Sequence, residues 1–162
     1  MRVLAIDPGN IKSGYCLIED YRPIEHGKVD NQTMLDMTCH TAEKFVDAVA
    51  IEKIASYGMA VGREVFDTCE WTGRFVQSVE DHAGCPWGYV FRRDEKMNLC
   101  GSVKANDSNI RRALIDRFAK HDLKNGKGTK DNPDWFYGFK ADVWAAYAVG
   151  VTWLDTKGET HE

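Results

Sequence analysis

Long apolar runs are missing from this 162-residue chain. Nothing in it approaches the about 20 consecutive apolar residues that a membrane-spanning helix needs, so a membrane protein is not expected. Paired cysteines are missing as well. Cys16, Cys39, Cys69, Cys85 and Cys100 are odd in number and scattered, with no C-x-x-C spacing. That argues against a zinc site and for reduced thiols in a cytosol-like compartment. The N-terminus offers a single Arg2 and a few apolar residues, which is not the pattern of a secretory signal, so a cytoplasmic location is expected. Internal repeats, low-complexity tracts and linkers are absent, so residues 1–155 read as one domain followed by a polar tail, 156–162.

An overall basic charge is also lacking, since the formal net charge is −4. Its distribution is uneven, however. From Phe91 to Lys130 there are 11 Lys and Arg against 5 Asp and Glu, and the remainder carries 10 basic against 20 acidic residues. An acidic body with one basic segment suits a metal-dependent enzyme acting on a polyanion.

What is present is an alternation of short apolar runs and helical patterns. "RVLAI" (2–6) reads as a buried strand, Tyr15–Ile18 as a second across the turn "PGNIKSG", and Ile24–Val29 as a third. Residues 31–48 have helical spacing, with Met34, Met37, Thr41, Phe45 and Ala48 on one side. "AVAIE" (48–52) is a fourth strand. A long helix over about 59–81 follows, with Val61, Val65, Cys69, Thr72, Val76 and Val79 inward, and then a fifth strand, "WGYVF" (87–91). Asp107 or Ser108 is placed to cap a helix that turns Ile110, Ala113, Leu114 and Phe118 inward. "KNGKGTKDNPDWFYG" (124–138) is a loop, and a last helix spans about 140–154, its small residues allowing close approach to a sheet. The expected architecture is α/β: a five-stranded mixed sheet, strands 1–3 antiparallel and strands 4 and 5 parallel to strand 1, flanked by helices.

Two strands end in a carboxylate, Asp7 and Glu52, and a third acid, Asp142, stands in the first turn of the last helix. Taken singly, each has a structural explanation: a turn before Pro8-Gly9, a rim charge, and a favourable contact with the helix dipole. Taken together they suggest one site, because ligand sites in such sheets gather at the carboxyl ends of strands. Converging carboxylates cannot all stay ionised without a cation, and hard oxygen donors favour Mg²⁺ or Mn²⁺.

"IDPGNIKSGYCLIE" resembles the first motif of the RuvC-type Holliday-junction resolvases, which have a ribonuclease H-like fold. "VAIEK" is similar to their second motif and "KADVWAAYAVGVTWL" to their third; "YGMAVGREVFDTCEWTGRF" looks like phage-type relatives. The resemblance covers nearly the whole chain. It implies a homodimeric endonuclease in the cytoplasm of a bacterium or phage-infected cell, nicking branched DNA such as four-way junctions in recombination and repair. It further implies Asp7, Glu52 and Asp142 as catalytic metal ligands holding Mg²⁺ or Mn²⁺, two ions per site. One departure stands out. The third motif usually carries two metal-binding residues three positions apart, and here Asp142 is followed by Ala145; if Asp142 fills the second slot, Phe139 stands in the first. Asp107, Asp131 and Asp134 are the candidates to substitute.

If the substrate is DNA, its phosphates must meet lysine and arginine. Lys12 beside Asp7, Lys104, Arg111 and Arg112 around the helix opening "KANDSNIRR", and Lys124, Lys127 and Lys130 in the glycine-rich loop are the candidates. Trp135, Phe136 and Tyr137 either stack on unpaired bases or, as preferred, plug the loop into the core. The long central helix is a possible dimer interface. Rival readings are a ribonuclease H-like nuclease acting on flaps or RNA–DNA hybrids, and a non-catalytic DNA-binding relative. An ATP-using, actin-like protein is excluded, since it needs a second phosphate loop and roughly twice the length.

Overall fold

The computed structural model describes residues 1–156; the expected polar tail, but for Thr156, lies outside them. Strands β1 (Arg2–Asp7), β2 (Lys12–Glu19), β3 (Arg22–Asp30), β4 (Ala48–Lys53) and β5 (Trp87–Phe91) form one sheet in the order β3-β2-β1-β4-β5. β1 and β2 pair antiparallel, as do β2 and β3, while β4 runs parallel to β1 and β5 parallel to β4. The expected mixed sheet is therefore present. Helices cover both of its faces, which is why β1 and β4 are continuous apolar runs rather than alternating ones. Val3, Ala5, Cys16, Ile18, Ala48 and Ala50 face one layer, while Leu4, Ile6, Tyr15, Leu17, Val49 and Ile51 face the other.

The first layer is dominated by α5 (Ala141–Thr156), buried over most of its circumference. It lies close because its contact positions are small: a Cβ on Gly150 would run into Ile18 and sit 3.0 Å from Ala5 Cβ. α4 (Asp107–Phe118) joins it, capped by Asn106 rather than by Asp107 or Ser108, with Ile110, Leu114, Ile115 and Phe118 buried. The loop 124–138 is anchored to this layer by Phe136, which is 0% exposed and packs within 4.5–5.3 Å, centroid to centroid, of Trp144, Phe139 and Tyr147. Trp135 stacks on Phe118 and donates its indole N–H to the Tyr147 hydroxyl at 3.0 Å. These rings are committed to the core.

The opposite layer holds α1 (Asn31–Cys39) and α2 (Arg63–His82). α1 is shorter than its periodicity suggests. The chain leaves it at His40, passes through a 3₁₀ turn, Thr41–Lys44, and turns at Phe45, whose φ is +54° and whose ring is 80% exposed. In α2 the inward face is Thr68, Thr72, Phe75, Ser78 and Val79, while Cys69 and Val61 are exposed. The threonines can be buried because their hydroxyls donate to carbonyls four residues back, Glu64 and Thr68, both at 2.8 Å. A further helix, α3 (Arg92–Cys100), follows β5 directly.

The basic loop is held by two acids: Asp122 accepts backbone N–H bonds from Asn125, Lys127 and Gly128 at 2.9–3.2 Å, and Asp134 braces its base. Asp134 accepts backbone N–H bonds from Lys120, His121, Asp122 and Trp135 at 2.7–3.1 Å. Desolvation raises its pKa, but these donors outweigh it and hold the carboxyl well below the usual range. A depressed acid contributes stability that is present above its unfolded pKa, near 4, and is lost as pH falls. Asp134→Ala is therefore expected to cost about 1–2 kcal/mol near neutral pH, by analogy with a charged helix cap. Thermal melts at pH 7 and pH 3 should show the gap from wild type narrowing at the lower pH.

Candidate active site

The three parallel strands β1, β4 and β5 present their carboxyl ends at one edge of the sheet. There Ile6 pairs with Ile51, so the next residues, Asp7 and Glu52, are neighbours on adjacent strands. Their carboxyl groups are close enough to act on each other electrostatically. Burial is the main cause that pushes the Asp7 carboxyl up to about 8, and the charges of Glu52 and Asp142 add to it. Glu52 is also raised by burial, partly offset by Arg92. Two neighbouring acids that are both raised above their ordinary pKa are short of positive charge.

The turn that follows Asp7 is pinned rather than loose. Gly9 N donates to Ser13 Oγ at 3.2 Å, Ser13 Oγ donates to Asn31 Oδ1 at 2.6 Å, and Asn31 Nδ2 donates to Gly9 O at 2.8 Å. A side chain at Gly9 would strike the Lys12 carbonyl. Across the sheet, Asp7 pairs with Gly14 and Gly14 with Lys28. The start of α5 rests on Gly14, where a Cβ would lie 2.5 Å from the Asp142 carbonyl oxygen. That close approach brings Asp142 within electrostatic reach of Asp7. Asp142 is held there by Lys28, Nζ to Oδ2 2.7 Å.

A fourth acid lies within electrostatic reach of this pair. Glu95, in the first turn of α3, is 0% exposed and feels the charges of both Glu52 and Asp7. Burial, then Glu52, push its carboxyl up to about 9. Arg92 lies among the acids, lowering the pKa of Asp7, Glu52 and Glu95, and it pairs with Glu95 and with Asp107. Sequence reasoning missed Glu95. The available signal was its place just beyond the fifth strand, the same edge that delivers Asp7 and Glu52.

The proposed substitutes for the acid lacking at Ala145 do not enter the site. Asp134 is spent on its loop, Asp131 is exposed in that loop, and Asp107 is taken by Arg92. Phe139 is a core residue, edge-on to His26 and Trp144. Ala145 instead faces a cavity of about 70 Å³ lined by Arg92, Asp107, Arg111 and Trp144. Among the described residues no three His, Cys, Asp or Glu side chains enclose a common point as they stand. The donor chemistry nevertheless fits Mg²⁺ or Mn²⁺, since Mg²⁺ is commonly held by one or two carboxylates with water and substrate phosphate completing its shell.

The basic candidates gather in part. Arg111, Arg112, Lys124 and Lys127 line a cavity of about 470 Å³ between α4 and the glycine-rich loop, with Trp144 at its side. Arg111 lies 5.4 Å from the Trp144 ring. Arg112 is a brace, bonded to Asp116 and to the carbonyls of Leu123 and Lys124. Lys104 borders a neighbouring concavity shared with Arg112, while Lys12 and Lys130 are exposed outside both.

No protein-family model matches the chain, and neither does any curated protein sequence. Solved structures do. A Thermus thermophilus RuvC structure aligns with a TM-score of 0.70 at 18% identity, covering 98% of this chain and 96% of that one. The fold is that of RuvC. A second structure, of T. thermophilus RuvC in complex with Holliday junction substrate, aligns at a TM-score of 0.68 and 16% identity over 99% of this chain and 97% of that one. The RuvC fold is ribonuclease H-like, with the strand order and directions described above. No helix among the described residues is long and apolar enough to cross a membrane.

Proposed function

We propose that the chain is a RuvC-type resolvase: a homodimeric, metal-dependent endonuclease that nicks four-way and other branched DNA. Asp7, Glu52 and Asp142 are its metal-binding carboxylates. The observation that carries this reading is the pair Asp7–Glu52, two half-buried acids on adjacent parallel strands at the carboxyl edge of a RuvC-fold sheet. Mg²⁺ or Mn²⁺ bound there, two ions in the full site, would supply an activated water and charge neutralisation at the leaving 3′ oxygen.

The protein's own part is positioning. Asp7 and Glu52 offer hard oxygens from adjacent strands. Lys28 holds Asp142 beside them, and Arg92 balances the clustered negative charge. The cavity beneath Arg111, Lys124 and Lys127 takes backbone phosphates, with Lys12 a further contact beside Asp7, so binding weakens steeply as salt rises. Two symmetric nicks require two sites related by a twofold axis. Exposed Tyr57, Met59 and Phe66 around the start of α2 are where this reading puts the second copy.

Gly14→Ala is expected to push the first turn of α5 away from Asp7. Displacements of about 1 Å cost on the order of 100-fold in rate. Single-turnover nicking should fall by about that factor with junction affinity unchanged. Parallel assays on a four-way junction, a flap and an RNA–DNA hybrid, each with Mn²⁺, test the substrate class. Preference for the junction supports the reading; preference for flap or hybrid points to a different ribonuclease H-like nuclease. Binding without cutting points to a non-catalytic relative.

A further inference from the structure

Each of the three adjacent parallel strands delivers an acid to the same edge. β1 ends on Asp7, β4 carries Glu52 one residue before its end, and β5 runs straight into α3, whose first turn holds Glu95. Glu95 is completely buried, yet only half of its carboxylate is satisfied. Oε1 accepts from Arg92 Nη1 at a long 3.3 Å, and Oε2 has no hydrogen-bond partner among the described residues. Arg92 does not account for this acid as a simple ion pair, because it is shared with Asp107. A buried ion pair with a spare oxygen is less favourable than an apolar side chain of the same size, so packing gives no reason for glutamate here. The electrostatic neighbours of Glu95 are Glu52 and Asp7. On the other flank neither third-motif position brings a second acid: Phe139 is packed in the core, and Ala145 faces a small cavity bordered by Arg92.

We propose that Glu95 is the fourth carboxylate of the metal site, entering from the β5 side in place of the second acid that the third motif lacks at Phe139 or Ala145. This rests on the nuclease reading above. Its unsatisfied Oε2 is a hard oxygen donor of the kind Mg²⁺ and Mn²⁺ take. Arg92 supplies compensating charge while no cation is bound. Since the acids do not enclose a point as they stand, loading draws their side chains together.

The test is Mn²⁺ binding by the full chain, followed through the EPR signal of free Mn²⁺. Wild type, Glu95→Gln, Glu95→Leu and Asp7→Asn are compared, each with a melt in chelator. Glu95→Gln is expected to weaken Mn²⁺ binding by about 10-fold or more, within the range seen when a site loses a supporting ligand. Its melting temperature in chelator should be unchanged or higher. Glu95→Leu fills the same space without a donor and should behave alike, so misfolding of one variant leaves the other to decide. If both glutamate variants bind Mn²⁺ within twofold of wild type while Asp7→Asn does not, Glu95 is a structural acid; this inference falls and the nuclease reading stands. If wild type itself binds no Mn²⁺, both fall.

Discussion

Asp7→Asn is expected to reduce nicking of a four-way junction in Mg²⁺ by about 1,000-fold or more, comparable to losing a major electrostatic contributor to the transition state, and at the same time to stabilise the metal-free protein. The two effects have one cause. Asp7 sits in a partly buried edge beside Glu52 and Asp142, and burial with those charges pushes its carboxyl up to about 8. An acid raised on folding contributes stability that is fully present below its unfolded pKa, near 4, and is lost as pH rises through the folded value. Metal-free wild type should therefore lose melting temperature steadily between pH 5 and pH 8. Asp7→Asn should flatten that slope and melt higher at pH 8, by an amount on the order of a few kcal/mol. Added Mn²⁺, which favours the ionised acids, should raise the wild-type melt at pH 8 and leave the variant almost unmoved. Melts in chelator and in Mn²⁺ across that pH range check the sign directly.

Phe136→Ala is expected to have the largest effect on stability. The ring is fully buried at the meeting point of α4, α5 and the basic loop, against Phe139, Trp144 and Tyr147. Truncating a buried aromatic costs about 3–5 kcal/mol through lost burial and the cavity left behind. In a domain of this size that lowers the melting temperature by on the order of 10 °C. The same change releases the loop that supplies Lys124 and Lys127 to the cavity over Trp144, so DNA affinity should fall with it. Tyr137→Ala, one residue on, removes a ring that is 45% exposed and should shift stability by no more than about 0.5 kcal/mol. Paired thermal melts and junction titrations separate the plug from its neighbour.

The legible parts of the sequence were those where one physical demand dominates. Strands buried on both faces must be apolar throughout, so "RVLAI" and "AVAIE" stood out, and "WGYVF", a half-buried edge strand, has the expected bounds Trp87–Phe91. Asp7 and Glu52 were visible as charges at the ends of such runs, and the small residues of α5 as a helix lying close to a sheet. Where polar groups are satisfied locally, the pattern misled. α2 buries Thr68 and Thr72 by bonding their hydroxyls to its own backbone, so its inward face is rotated from the one its valines suggest. α1 stops at His40 although apolar spacing continues; the chain goes on through a 3₁₀ turn that ends at Phe45, which is left-handed and points its ring outward. Glu95 escaped for the opposite reason. Charged "RRDEK" reads as a solvated helix face, and a fully buried glutamate breaks the rule by which buried positions are found.

The most direct measurement is nicking of a synthetic four-way junction with Mg²⁺ or Mn²⁺ by wild type, Asp7→Asn and Glu52→Gln. The expected result is cleavage by wild type alone, at positions symmetric across the junction. Wild type that cuts no branched DNA, or cutting that survives Asp7→Asn unchanged, would contradict the assignment of this sheet edge as a metal-dependent nuclease site.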